Sequence, residues 1–89
     1  MFKIQQSGLI LLSELGVNFD IECSPVHHKN QQWWQLEVLT NKEGIKDRGI
    51  LCTAKNEPRY FKQLNSITEF LEENSIEITK FTVSLKIKE

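Results

Sequence analysis

The sequence predicts an α+β domain in which a helix, a three-stranded antiparallel meander, a second helix and a final strand form a four-stranded sheet with both helices on one face. Four segments in which apolar and polar residues alternate indicate strands that each bury one side. Two segments with apolar residues at helical spacing supply the helices. Neither a repeat nor a linker divides the 89 residues, so we expect a single domain spanning residues 1–89.

The first helix is predicted over residues 2–15, because apolar side chains recur there on one broad helical face. Gly16 fits the left-handed position that commonly ends a helix. The side chains expected to face the core from this helix are Ile4, Leu9, Leu11, Leu12 and Leu15.

The first two strands are predicted over residues 17–24 and 32–40. Apolar and polar residues alternate strictly through the first strand, and Pro25 is expected to end it. In the second strand Trp33 and Trp34 are adjacent, so only one of the two indoles can face the core.

The third strand is predicted over residues 47–54, after a turn at residues 41–44. It is expected to direct Ile50 and Cys52 toward the core, with a bulge at Gly49. Three such strands in succession make the antiparallel meander.

The second helix is predicted over residues 66–74, where Ser66 and Glu69 match the capping box found at helix N-termini. The final strand is predicted over residues 81–87, from apolar residues that alternate with polar ones. Because a helix connects it to the third strand, we expect it to run parallel to whichever strand it joins.

Composition narrows the function by exclusion. The formal net charge is -1 and the isoelectric point is about 6.1, so the chain lacks the basic excess typical of nucleic-acid-binding domains. No apolar run approaches the roughly 20 residues needed to cross a bilayer, and the expected compartment is the cytoplasm. The sequence contains no nucleophile elbow, phosphate loop or zinc-protease motif, so we expect no enzymatic activity, cofactor or small-molecule substrate.

The histidines and cysteines are not expected to bind metal. His27 and His28 are placed in a polar loop between the first two strands, and adjacent side chains on an extended chain point apart. Cys23 and Cys52 each fall within an apolar strand pattern, which predicts that both are small buried core residues.

Acidic residues are predicted on the side of the sheet that faces solvent. Asp20 and Glu22 share this side of the first strand, with Glu37 on the second strand nearby. Paired carboxylates occur in acid–base catalysis, but on a solvated sheet they are also common. Here Lys86 and Lys88 of the final strand are expected to neutralise them.

Two segments are candidates for binding a partner. Trp33 is expected on the outer side of the sheet together with Leu39, and exposed tryptophan is enriched at protein interfaces. The alternative is that a loop or terminus of the same chain covers Trp33.

The second candidate is the stretch before the second helix, which carries basic and aromatic residues: Lys55, Arg59, Tyr60 and Lys62. These residues suit contact with a phosphate or a stacked base. The alternative is an ordinary connection, in which Phe61 and Leu64 anchor the chain to the core and the charges are solvated.

The sequence EPRYFKQLN at residues 57–65, followed by Phe70-Leu71 and by ITKFTV at residues 78–83, resembles a pattern in small partition-associated proteins of plasmids and integrative elements. The resemblance covers residues 53–85. It implies a non-enzymatic accessory protein of a mobile element whose partner is a macromolecule.

A second resemblance is to the double-stranded RNA-binding domain, which shares the order of helix, meander and helix. Its proline-histidine loop is similar to SPVHHK at residues 24–29. That family clusters lysines at the start of its second helix, whereas this chain has Asn65, Ser66 and Glu69 there and adds a fourth strand.

We therefore expect a non-catalytic binding module that associates with a protein partner or with itself and does not bind a membrane. The expected contact residues are Trp33, Leu39, Arg59, Tyr60 and Lys62. The alternative function is weak nucleic-acid binding by Tyr60 with the three basic residues of the same stretch, Lys55, Arg59 and Lys62.

Overall fold

The computed structural model describes residues 1–78 and 80–86, and these form an α+β domain of two helices and a six-stranded sheet. The elements in chain order are β1 (Phe2–Gln5), α1 (Gln6–Glu14), β2 (Phe19–His28), β3 (Gln31–Lys42), β4 (Ile45–Cys52), β5 (Tyr60–Phe61), α2 (Leu64–Glu73) and β6 (Lys80–Val83). Across the sheet the order is β1-β4-β3-β2-β6, and β5 pairs with β3 outside this path. The mixed class is as predicted, but the described sheet has two strands more than the four expected.

The antiparallel meander is confirmed by the pairing of β2 with β3 and of β3 with β4. Lys29 and Asn30 connect the first pair with φ of 52° and 62°, and Glu43 and Gly44 connect the second with φ of 53° and 81°. Two successive residues with positive φ are the geometry of the tight hairpin turn that matches strand twist. The second turn lies within the predicted range but is shorter, because Asn41 still pairs within the sheet.

The prediction that Pro25 ends the first strand is wrong. Pro25 lies inside β2 and pairs with Trp34 of β3. The carbonyl of Cys23 accepts a hydrogen bond from the Ser84 N–H at 2.8 Å, so the backbone polar groups of Cys23 point toward β6. The backbone nitrogen of Pro25, two residues further along β2, points the same way, but β6 has already ended at Val83. Its missing N–H therefore removes no bond between β2 and β6.

The first four residues of the predicted helix instead form β1, a short edge strand parallel to β4. Phe2 pairs with Gly49, and a Cβ built on Gly49 would lie 2.2 Å from a ring carbon of Phe2. Gly49 is therefore a site of close ring approach and not the predicted bulge, since the ladder continues through its pairing with Val38. The helix ends as predicted: Gly16 has a φ of 72°.

The second helix begins two residues before the predicted capping box. Its N-cap is Gln63, whose side chain makes no capping hydrogen bond. Ser66 lies inside the first turn, because its N–H already donates to the Gln63 carbonyl at 3.1 Å. The helix ends at Glu73 with Asn74 as its C-cap, and the N–H of Ile76 donates to the Leu71 carbonyl at 2.9 Å.

One hydrophobic cluster joins both helices to the same sheet face, as predicted. We call this the inner face of the sheet and the opposite side the outer face. The buried members are Leu9 from α1, Ile67, Phe70 and Leu71 from α2, and Phe19, Ile21, Cys23, Leu36, Val38, Leu51, Phe61 and Ile76. From β4 it is Leu51 that joins this cluster, and not Ile50 and Cys52 as predicted, because Leu51 pairs with Ile4 on the inner face.

Two further expectations about apolar residues need correction. Leu11 and Leu15 were expected to face the core but are 52% and 68% exposed. The final strand runs parallel to β2, as predicted, but ends at Val83, and Leu85 is exposed. The predicted end of that strand at Ile87 lies outside the described residues.

Candidate functional site

Three of the five predicted contact residues come together on the outer face, beside the end of the β2–β3 hairpin. They are Trp33 of β3, Tyr60 of β5 and Lys62, which follows β5. His28 of β2 and Gln31 of β3 complete the group through the contacts described below. We call these five residues the hairpin patch.

Trp33 is the outward indole of the tryptophan pair. Trp34 packs against the core cluster, so its neighbour on the strand faces the other way. The Trp33 ring is half-buried, and its Nε1–H donates to the carbonyl of His28 at 3.1 Å. This bond fixes the indole across the hairpin while part of the ring stays open to solvent.

Lys62 lies over the Trp33 ring. Its Nζ atom is 4.7 Å from the centroid of the ring, within the range of a cation–π contact. The same ammonium donates a hydrogen bond to Oε1 of Gln31. Lys62 and Gln31 are both exposed, so the charge remains available to a partner.

Tyr60 stacks on His28, with ring centroids 4.3 Å apart and an interplanar angle of 25°. The predicted loop for His27 and His28 is wrong, because both residues belong to β2 and pair with Gln32 and Gln31. The connection is only the two-residue turn that follows. The strand therefore holds the His28 ring in a fixed position, where it supports Tyr60.

Arg59 lies on the opposite side of the chain from Tyr60 and Lys62. Its guanidinium carbon is 4.6 Å from the ring centroid of Phe70 and 5.0 Å from that of Phe61, both members of the core cluster. Its Nη1 also donates to Oε1 of Gln6 at 3.1 Å. Side chains alternate along an extended segment, and this alternation separates Arg59 from the patch.

Lys55 is exposed in the turn that follows β4. The side-chain amide of Gln5 donates to the Ala54 carbonyl at 3.2 Å and to Oδ1 of Asn56 at 3.1 Å, which ties this turn to β1. The structure therefore distributes Lys55, Arg59 and Lys62 over three separate surroundings.

Leu39 is on the same side of β3 as Trp33 but does not join it. Six residues along a strand span roughly 20 Å. Leu39 lines a separate open cavity of about 520 Å³ with Met1 and the β4 residues Lys46, Asp47 and Arg48. The expected single apolar patch of Trp33 and Leu39 is thus two distinct surfaces.

The outer face also holds a partly buried ion-pair group that the sequence analysis did not predict. Arg48 Nη1 lies 2.9 Å from Oε2 of Glu37 and 3.2 Å from Oε1 of Glu22. Glu37 is only 1% exposed, so the expectation that it is solvated is wrong. Arg48 takes the place predicted for Lys86 and Lys88; Lys86 is exposed, and Lys88 lies outside the described residues.

The protonation of Arg48 follows from these contacts. Burial opposes its charge, but its hydrogen bond to Glu22 and the charges of Glu37 and Glu22 outweigh that effect and raise the pKa of Arg48 above its ordinary value. The guanidinium is therefore a fixed positive charge between two strands of the outer face. Arg48 reaches Glu37 because of the register between β3 and β4. In this register Arg48 pairs with Leu39, two residues along the strands from the pair of Glu37 and Ile50.

Cys23 and Cys52 are free thiols and both are buried as predicted, but only Cys23 belongs to the core cluster. Burial, with a smaller contribution from the charge of Glu22, raises the pKa of Cys23 to about 12. An unfolded chain releases this proton near its ordinary pKa of 9.0. Between these two values the unfolded state binds fewer protons than the folded state, so alkaline pH favours unfolding.

We therefore expect the free energy of unfolding to fall by up to about 1.4 kcal/mol per pH unit above pH 9 through Cys23 alone, and not below pH 8. Urea unfolding of the wild type and of Cys23→Ala at pH 8 and pH 10 measures this. Because the variant lacks the thiol, its loss of stability between the two pH values should be smaller by about 1 kcal/mol. Equal losses in both proteins would show that Cys23 ionisation is not coupled to folding.

Neither a metal site nor a membrane span is found in the described part of the chain. Within residues 1–78 and 80–86, histidine, cysteine and carboxylate side chains nowhere gather in a group of three suited to a metal ion. Of the described helices, none has the length and apolar character to cross a membrane.

Comparison with known proteins identifies no relative of this chain. No family model, curated protein or solved structure matches this chain.

Proposed function

We propose that this protein is a non-catalytic binding module that associates with a protein partner through the hairpin patch. The observation that carries the proposal is the meeting of Trp33, Tyr60 and Lys62 on the outer face, although they come from separate segments of the chain. Tryptophan and tyrosine are over-represented among residues that dominate binding energy.

The contacts within the patch support this proposal because they hold its side chains in place before binding. Trp33 is fixed by its bond to the His28 carbonyl, and Tyr60 is fixed by stacking on the His28 ring. Side chains that are already ordered lose less conformational entropy when a partner binds. The exposed ammonium of Lys62 adds a charge at the edge of the aromatic surface.

The proposed setting is a mobile genetic element in the cytoplasm. The resemblance of residues 53–85 to partition-associated proteins supports an accessory role there and a macromolecular partner. Tyr60 and Lys62 lie in the segment that carries this resemblance, so the proposed setting and the proposed surface involve the same residues.

Site-specific photo-crosslinking in cells of the native host tests the proposal. A photoreactive residue in place of Gln31, inside the patch, should give a discrete cross-linked protein species. The same residue in place of Glu57, an exposed position in the turn after β4, should give none. The cross-link should disappear when Lys62→Ala is added. Identical patterns from both positions would count against a partner at this surface.

Nucleic-acid binding is the second candidate, and the patch itself is the observation that favours it. Stacked rings beside a lysine also suit a single-stranded nucleic acid. This candidate requires affinity for generic single-stranded DNA that falls steeply with salt and that Lys62→Ala weakens more than Lys55→Ala. Absence of binding at low salt would eliminate it.

A further inference from the structure

Apolar side chains of α1 and of the residues that follow it are largely exposed to solvent. Leu11, Leu15 and Val17 are 52%, 68% and 40% exposed. Leu11 and Leu15 are four residues apart, so they lie on the same side of the helix. A surface helix normally turns polar residues outward, and grouped apolar exposure often marks an interaction surface.

Two carboxylates lie near parts of this apolar strip: Glu14 precedes Leu15 in the chain, and Glu77 lines a depression together with Val17. Glu14 is exposed in the last turn of α1. Glu77 is also exposed, and its backbone N–H donates to Oγ of Ser13 at 3.0 Å, which holds it against the helix. We call Leu11, Leu15, Val17, Glu14 and Glu77 the helical surface.

The helical surface carries the negative charges of Glu14 and Glu77, and the hairpin patch carries the positive charge of Lys62. Residues 6–18 and 64–78, which contain both helices, include five glutamates and neither lysine nor arginine, and the cation beside them is Arg59, which contacts Phe70 of α2 and Gln6 of α1. Residues 26–35 and 60–63, which contain the hairpin patch, include two lysines and two histidines and no acidic residue. Opposite fields of this kind attract one another and set the orientation of an encounter.

We infer that the partner of the hairpin patch is the helical surface of a second copy of this chain, an inference that rests on the proposed function. The helices cover the inner face, and the patch lies on the outer face, so one molecule cannot bring its own two surfaces together. The contact is therefore head to tail, and a pair of bound copies still presents one free hairpin patch and one free helical surface to further copies.

The helical surface also offers a specific place for a lysine side chain. A depression of about 160 Å³ at the end of α1 is lined by Ser13, Gly16, Val17, Asn18, Glu77 and Ile78. The C-terminal end of a helix carries partial negative charge, and Glu77 adds a full one. Lys62 is exposed at the edge of the patch, and its ammonium suits this depression while the Trp33 ring covers the apolar strip.

Mixing two variants tests the inference directly. Lys62→Glu damages the hairpin patch and leaves the helical surface intact. Leu15→Ser combined with Glu77→Lys does the reverse, and all three positions are exposed, so folding should be preserved. Glu57→Lys is a matched control, because it changes an exposed charge away from both surfaces.

Sedimentation velocity at low salt should show association of the wild type and of Glu57→Lys that increases with concentration and weakens several-fold at high salt. Each surface variant alone should be monomeric, with an unchanged circular dichroism spectrum. An equimolar mixture of the two variants should form dimers and nothing larger, since only one intact pair of surfaces remains.

Three results would overturn the inference: a wild type that is monomeric at high micromolar concentration, surface variants that associate like the wild type, or a mixture that stays monomeric. None of these results removes the proposed function. A cross-link from position 31 to a different protein in host cells would leave the patch as a binding surface with another occupant.

Discussion

Replacing Arg48 by alanine should destabilise the domain by about 1–3 kcal/mol, the cost of depriving a buried polar group of its partner. The Arg48 side chain is itself 37% exposed, so solvent screening keeps this cost below that of removing one partner of a fully buried ion pair. The variant would leave the Glu37 carboxylate, which is 1% exposed, without the guanidinium that now lies 2.9 Å away. Glu37 and Glu22 pair across β3 and β2, and the variant would also remove the cation that contacts both carboxylates. Because whole domains are stable by only about 5–15 kcal/mol, urea unfolding should reveal a large shift of the midpoint.

Lys46→Ala is the matched control for this experiment. Lys46 lies two residues away on the same strand and is exposed, so its loss should cost no more than about 0.5 kcal/mol. A double variant, Arg48→Met with Glu37→Leu, should be more stable than Arg48→Met alone, because it removes the buried charge together with its partner. If Arg48→Ala and Lys46→Ala cost the same, the ion pair contributes no more than a surface contact.

The ion pairs of Arg48 with Glu22 and Glu37 also show which features the sequence alone does not predict. Alternation along β3 correctly placed Glu37 on the face opposite the core, because that property is local to the strand. Its burial depends on which residue of β4 lies beside it, and this is fixed by the two-residue turn at Glu43 and Gly44. A turn shifted by one residue would direct Arg48 to the inner face, so the ion pair could not be predicted without the register.

The formation of the hairpin patch likewise depends partly on local sequence pattern and partly on long-range strand pairing. Local alternation predicts that Trp33 faces outward and that Tyr60 and Lys62 share a side. Their meeting depends on the pairing of β5 with β3, in which Tyr60 faces Gln35 and Phe61 faces Trp34. The same alternation, applied to Arg59, could have predicted its separation from Tyr60. The contribution of His28 was missed because Pro25 appeared to end its strand.

The N-terminal strand was missed because its sequence fits both kinds of element. Four residues with two apolar side chains suit a strand edge as well as the first turn of a helix. What decides between them lies more than forty residues away, where Gly49 leaves room for the ring of Phe2. A glycine inside a strand can mark a bulge or a close approach, and the sequence does not distinguish the two.

Gly49→Ala should therefore destabilise the domain by about 1–3 kcal/mol, the usual cost of forcing extra volume into a packed site. The new Cβ would meet the Phe2 ring at 2.2 Å, a separation that requires the ring or the whole of β1 to move. Urea unfolding measures the loss of stability. Amide hydrogen exchange measures its location, since protection should fall most at the residues of β1, Phe2–Gln5.

Phe2→Ala tests whether the ring is the cause. It removes the group that the new Cβ would strike, so adding Gly49→Ala to Phe2→Ala should cost less than adding it to the wild type, by about 1 kcal/mol or more. An additive pair would mean that the cost of Gly49→Ala comes from the backbone of β4 and not from contact with Phe2. β1 would then be held at the sheet edge by its parallel pairing with Gly49–Cys52 alone, and the predicted loss of exchange protection at Phe2–Gln5 should not occur.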